Sequence, residues 1–234
     1  GKSTLTNALA GEKIAIVSNK PQTTRNRITA VCQRGETQFV FLDTPGFHKP
    51  RTRLGDYMVN VVRQSVADVD AVVLVVEPVA SIGPQERELI ASIKAADCPA
   101  VLAINKLDTV EPEKLLAVIA LYSEAYAFNA IVPISAKTGE GVEELLKELD
   151  KFAVESPALF PEGVTTDQPE KQVCAELIRE KLLLNLEREV PHGTAVEITR
   201  FSERDDGIID LEATIYCEKA SHKGIIIGKH GAML

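Results

Sequence analysis

Three short apolar strings rich in β-branched residues, at 71–76, 100–104 and 130–134, recur along the chain with helix-patterned stretches between them. Each is too short for an ordinary helix and too continuous to face water, so each reads as a strand buried on both faces of a parallel sheet. The helical patterns lie near 54–67, 85–96, 112–126 and 141–153. Two further β-rich runs, 27–34 and 37–42, meet at Gly35-Glu36 as a hairpin. Strands alternating with helices put helices on both faces of one sheet. That is a doubly wound α/β fold, whose ligands sit beyond the carboxyl ends of the strands.

Four polar segments fall at those positions. Gly1-Lys2-Ser3 runs into a helical stretch, Thr4 to Ala10, closed by Gly11, and reads as the end of a phosphate-binding loop, G-x-x-x-x-G-K-[ST]. Its first glycine and the strand before it would lie upstream of residue 1. Asp43-Thr44-Pro45-Gly46 follows the second hairpin strand, Asn105-Lys106-Leu107-Asp108 the second apolar string, and Ser135-Ala136-Lys137 the third. Any one of these arises by chance; the ordered set fits a guanine-nucleotide switch.

The chemistry is specific. Polyphosphate needs backbone N–H donors at a helix N-terminus, a cation and a metal. Gly1 lets the backbone approach, Lys2 reaches the β- and γ-phosphates, and Ser3, with Thr4 behind it, opens the helix and binds Mg²⁺. Asp43 would hold the Mg²⁺, and Gly46 would offer its N–H to the γ-phosphate. The carboxylate of Asp108 accepts two N–H bonds from the guanine edge, where adenine presents an acceptor and no amine. Asn105 and Lys106 brace the loops and cover the base, Ser135 and Lys137 flank it, and the Ala136 N–H is expected to meet guanine O6. The polar loop 20–27 reads as a switch in which Thr24, or else Thr23, completes the Mg²⁺ shell. Lys2, Thr24, Asp43 and Gly46 form the catalytic set. Phe47 stands where a water-orienting glutamine would be needed, so unassisted hydrolysis should be slow. His48 reads as a loop histidine, and Gly139-Glu140-Gly141 as a helix-entry turn.

Net charge is −8 and the sequence pI ≈ 5.2, so overall charge does not point to nucleic acid and any such contact must be local. Four scattered cysteines and four dispersed histidines give no disulfide framework and no zinc spacing, which suits reduced thiols in a cytosolic protein. The apolar run at 71–76 is far too short to span a bilayer.

Organisation changes after 1–153. Residues 154–169 carry Pro157, Pro161, Gly163 and Pro169 and read as a linker. From 170 to 234 the pattern is a long amphipathic helix over 170–189, stopped by Pro191 and Gly193, then two strands at 195–201 and 208–217 joined through Asp205-Asp206-Gly207. The segment then reaches Gly228-Lys229-His230-Gly231. Helix–strand–strand followed by this G-x-x-G resembles a type II KH domain, in which two glycines let the backbone hug about four nucleotides and a lysine meets phosphate. Its remaining helices would lie beyond Leu234.

The whole order, with KPQTTRNR, FLDTPGFHKP, NKLD, SAKTGEG, ELIREKLL, VEITRF and IIIGKHG, resembles the bacterial Era GTPases of the TrmE–Era–EngA–YihA–Septin class. The resemblance implies a P-loop GTPase domain over 1–153 and a KH domain over 170–234, both truncated. It implies Mg²⁺-dependent hydrolysis of GTP to GDP, with K⁺ held in related proteins by a phosphate-loop Asn that would precede Gly1. It also implies assembly of the small (30S) ribosomal subunit, a KH grip on the 3′ end of 16S rRNA, a monomer, and peripheral attachment to the cytoplasmic face of the inner membrane. An RNA-binding chaperone that uses nucleotide only as a structural or signalling ligand is the alternative.

Overall fold

The computed structural model describes residues 1–18, 20, 23–45 and 69–233. The Gly46, Phe47 and His48 roles and the helix near 54–67 therefore lie outside the described residues. Helix α1 (Lys2–Ala10) is followed by the antiparallel hairpin β1 (Ile28–Arg34) and β2 (Thr37–Asp43), paired in register from Ile28↔Asp43 to Arg34↔Thr37. Then come β3 (Val72–Val76), α2 (Pro84–Ala96), β4 (Ala100–Ile104), α3 (Pro112–Ala125), β5 (Ala130–Pro133) and α4 (Val142–Asp150). Strands β3, β4 and β5 form a parallel sheet in that order. Two helices begin with proline at the first position, Pro84 and Pro112, where a missing N–H costs no hydrogen bond.

Strand β4 is the middle of the core: Ala100, Val101, Leu102, Ala103 and Ile104 are all 0% exposed. Its two faces feed two clusters. Val101 and Ala103 pack with Leu5, Leu9, Ile134, Leu145 and Leu149, while Leu102 and Ile104 pack with Leu74, Ile93, Val118 and Tyr122. Each fully buried aliphatic side chain here contributes roughly 1.5–3 kcal/mol. Among the described residues the hairpin does not share a hydrogen-bonded ladder with β3–β5, where the strand–helix alternation predicts a single sheet. Cys32, Phe39 and Phe41 instead join the Val101 cluster through side chains, so α1 and the hairpin meet the parallel sheet by packing.

Residues 154–169 form no helix or strand, yet they are not a loose tether. The Val31 N–H donates to Thr165 O at 2.7 Å, the Thr166 hydroxyl to Thr29 O at 2.7 Å, and the Thr29 hydroxyl to Asp167 Oδ2 at 3.0 Å. Gln38 grips Phe160 O and the Leu159 and Phe160 amides, each at 2.9 Å. The segment lies along the hairpin.

Helix α5 (Glu170–Asn185) ends four residues before the expected 189. Lys20 Nζ donates to the Leu183 and Leu186 carbonyls, a cation closing the helix C-terminus, and Leu186 is already extended. Strands β6 (Thr194–Glu203) and β7 (Ile209–Cys217) follow as an antiparallel pair with a register shift between Ile198 and Arg200. Helix α6 (Ala220–Ile227) leads into a tight 3-10 turn over Lys229–Gly231. Leu182, Leu186, Val190 and Ile226 make the small core of this unit.

Candidate nucleotide site and RNA-facing loop

Two corners of the site converge on the start of α1. At the first, α1 opens directly after Gly1 with no acidic residue in its first turn, so its free amides keep their positive end for an anion. Lys2, Ser3 and Thr4 occupy that turn, all half-buried. The Ser3 and Thr24 hydroxyls are 2.8 Å apart, whereas the Thr23 hydroxyl donates to Lys20 O at 2.7 Å. Asp43 ends β2 at 5% exposure, and neither carboxylate oxygen has a hydrogen-bond partner. Burial pushes its pKa up; the Lys2 charge, the Ser3 hydroxyl and the Thr44 amide pull it down. A buried, partnerless carboxylate is costly alone. Beside two hydroxyl oxygens it is a hard-donor set suited to a small divalent cation. Thr44 is half-buried and Pro45 fully buried behind Asp43.

The second corner is already braced. Asn105, 3% exposed, accepts the Lys106 N–H at 2.8 Å and the Ala136 N–H at 2.9 Å. A Cβ on Gly1 would stand 3.0 Å from Asn105 Nδ2, so the glycine lets the phosphate loop lie against this segment. Lys106 takes a left-handed backbone (φ 70) and its ammonium pairs with Glu77. Asp108 sits exposed in a 3-10 turn over Leu107–Thr109, and the fully buried Ser135 hydroxyl donates to its Oδ1 at 2.7 Å. The Leu107 N–H reaches Ile134 O at 3.0 Å, tying this turn to the end of the third apolar string. Lys137 follows, exposed, and Gly139-Glu140-Gly141 makes the turn that opens α4, as expected. The Ala136 N–H, expected to meet guanine O6, donates to Asn105 Oδ1 in the buried interior and braces the loop.

In the second unit, Lys229 and His230 are exposed on the turn after α6. Gly228 has φ 72, and a Cβ there would fall 2.5 Å from Met233 Cγ. The chain's own packing therefore demands this glycine. Gly231 closes the turn, with its N–H on Gly228 O at 3.4 Å. Among the described residues no helix is long and apolar enough to cross a membrane, and no cluster of three or more His, Cys, Asp or Glu could hold a metal.

Sequence reading misses the residues around Thr24. Arg179 and Glu180 on α5 are each 3% exposed and face Lys13, Val17 and Thr23. Arg179 donates to Thr23 O, Glu180 accepts the Val17 N–H at 2.9 Å and pairs with Lys13, and Arg25 donates to Thr194 O and His192 O at 2.8 and 2.9 Å. A signal is present. Arg179 shares a helical face with Leu182 and Leu183, three and four residues on, and a charge in that register is out of place on a merely apolar stripe.

Comparison with known proteins agrees with this architecture. A family model described as "50S ribosome-binding GTPase" matches residues 1–106 and a "KH domain" model matches 189–234. The chain is 53% identical to GTPase Era of Ruminiclostridium cellulolyticum, over all of this chain and 78% of that protein. It is 49% identical to GTPase Era of Alkaliphilus metalliredigens, over all of this chain and 80% of that protein. Among solved structures, Era in complex with MgGDPNP and nucleotides 1506–1542 of 16S ribosomal RNA superposes with a TM-score of 0.94 at 34% identity, covering 100% of this chain and 80% of that one. A point variant of Aquifex aeolicus Era bound to GDP·AlF4⁻ gives the same TM-score, identity and coverage. A P-loop GTPase unit followed by a KH unit, matched along its whole length at this identity, places the chain in the Era family of GTPases.

Proposed function

We propose that this chain binds GTP with Mg²⁺ between α1, β2 and the turns after β4 and β5, hydrolyses it to GDP and phosphate, and couples that cycle to 16S rRNA in small (30S) subunit assembly. The observation that carries the reading is the buried Asp43 carboxylate, both oxygens partnerless, beside the Ser3–Thr24 hydroxyl pair. Ser3, Thr24 and Asp43 would hold the cation, which supplies charge neutralisation at the β- and γ-phosphate oxygens. The Lys2 ammonium and the first amides of α1 bind and orient the phosphates. Asp108, fixed by Ser135, reads the guanine N1–H and amine, while Asn105 and Lys106 hold the base loop in place. Phe47 cannot orient a water, so the rate depends on a further group or partner. K⁺ is a candidate for that role, tested by replacing K⁺ with Na⁺.

The working division is a GTPase unit over 1–153, a connector over 154–169 and a KH unit over 170–234. In the KH unit the Gly228–Gly231 backbone follows a single-stranded 3′ end of 16S rRNA and Lys229 meets phosphate, as the Era complex with rRNA nucleotides supports by likeness. We place the protein in the cytoplasm as a monomer, with weak peripheral attachment to the inner membrane. Single-turnover GTP hydrolysis with and without an RNA 3′-end oligomer tests the proposal. Turnover that rises with the oligomer is expected; no turnover in either condition removes the enzyme and leaves an RNA-binding protein with a nucleotide ligand.

A further inference from the structure

Thr24 is held at Ser3 by the second unit as much as by its own. The carbonyl before it, Thr23 O, accepts from Arg179 Nη2 of α5. The residue after it, Arg25, donates through Nη1 to Thr194 O at the start of β6 and through Nη2 to His192 O in the turn just before it. Four residues upstream, Lys20 Nζ takes the Leu183 and Leu186 carbonyls at the end of α5. Arg179 is itself aimed by Glu176, which accepts from Nε at 2.8 Å and from Nη2. The guanidinium is 3% exposed, and its Nη1 has no partner in the protein. A buried arginine left partly unsatisfied is a weak source of stability, which leaves the fixing of one geometry as the role to test.

We propose that Arg179 is a positioning residue for the GTPase reaction: from the KH unit it fixes the Thr23 carbonyl and thereby sets the Thr24 hydroxyl against Ser3. The Thr23 carbonyl and the Arg25 side chain, on either side of Thr24, are bonded to groups of the second unit, so moving the Thr24 backbone away from Ser3 requires breaking the Arg179 or Arg25 contacts. The KH unit is thus a wall of the metal corner. This rests on reading that corner as an Mg²⁺–GTP site, and it makes the binding of triphosphate, in which Thr24 takes part, more sensitive to Arg179 than the binding of diphosphate.

The test compares Arg179→Met, Arg179→Lys and Glu176→Gln with the wild-type full chain. Two measurements are made: the Mg²⁺ concentration that half-saturates GDPNP binding, and GDP affinity. A third needs no nucleotide, the rate of tryptic cleavage after Arg25 and Arg27. Losing one charge-assisted hydrogen bond predicts an approximately tenfold rise in half-saturating Mg²⁺ for Arg179→Met with GDP affinity unchanged, and faster cleavage in the nucleotide-free protein. Lys should restore part of both effects, and Glu176→Gln, which keeps the guanidinium but loosens its aim, should fall between. Equal weakening of GDP and GDPNP with a lowered melting temperature would overturn the proposal in favour of a purely structural arginine. So would unchanged Mg²⁺ dependence with accelerated cleavage. If wild type does not bind GDPNP with Mg²⁺ at all, the nucleotide reading itself falls, whereas a wild type that binds and a variant that matches it sink only the role of Arg179.

Discussion

The two corners of the nucleotide site are built on opposite plans. Around the turn proposed to read the base, Asn105, Asp108 and Ser135 already bond one another or the neighbouring backbone. Around the metal corner, a buried carboxylate has no partner and the one hydroxyl pair depends on a loop moored to another unit. Selectivity for the base can thus be rigid, because it never needs to change during a cycle. The phosphate end must respond to the loss of one phosphate, and its polar groups are held in a less self-sufficient arrangement.

The sharpest way to break this contrast is Asp43→Asn. Hydrolysis should fall on the order of a thousandfold as the charge that holds the cation is lost. The metal-free fold should nonetheless become more stable, by on the order of 1 kcal/mol, because an unpaired buried charge has been removed. Hydrolysis assays and thermal melts in EDTA check both halves; a destabilised metal-free protein would mean Asp43 is braced like its counterpart. Next in size, Asp108→Asn should lower GTP affinity roughly 100-fold and shift preference toward xanthosine triphosphate, read by competition binding. Unchanged preference would remove Asp108 from base reading.

A smaller effect tests the bracing itself. Ser135→Ala takes the hydroxyl from Asp108 and should weaken GTP and GDP alike, about fivefold, with base preference intact. A change confined to GTP would erase the distinction between the corners. The smallest prediction concerns the mooring. Burial raises the Glu180 pKa, but the Lys13 ammonium and the Val17 N–H overcome that and leave it below the usual value. Its folded pKa therefore lies under its unfolded one, so its contribution is complete above the unfolded value and fades as pH falls through the folded one. Stability followed by thermal melts below pH 5 should drop less steeply in Glu180→Gln than in wild type, a difference of no more than about 1 kcal/mol.

These contrasts also explain what the sequence can reveal. The strands, their order of helices and the positions of Asp43, Asn105, Asp108 and Ser135 follow from short-range pattern, because apolar runs and turn chemistry are local. Thr24 separates from Thr23 only once Ser3 is beside it, 21 residues away along the chain. The Ala136 N–H escapes sequence reading since an amide's partner depends on where the Asn105 side chain turns. Arg179 and Glu180 hide in an amphipathic helix, as nothing nearby in sequence says that its buried face meets Lys13, Val17 and Thr23. The end of α5 falls where Lys20 meets the Leu183 and Leu186 carbonyls, a contact between distant parts of the sequence, and before the proline and glycine that follow.

The connector has a mechanical consequence. Since residues 159–167 are stitched to the hairpin, the free length between the two units shrinks to Gln168 and the Pro169 that caps α5. Proline's fixed φ leaves little play there. Any swing of the RNA-holding unit must pivot at that point and act as a short lever on Lys13, Val17 and Thr23, so a tug on the bound transcript would arrive at the triphosphate with almost no slack in between.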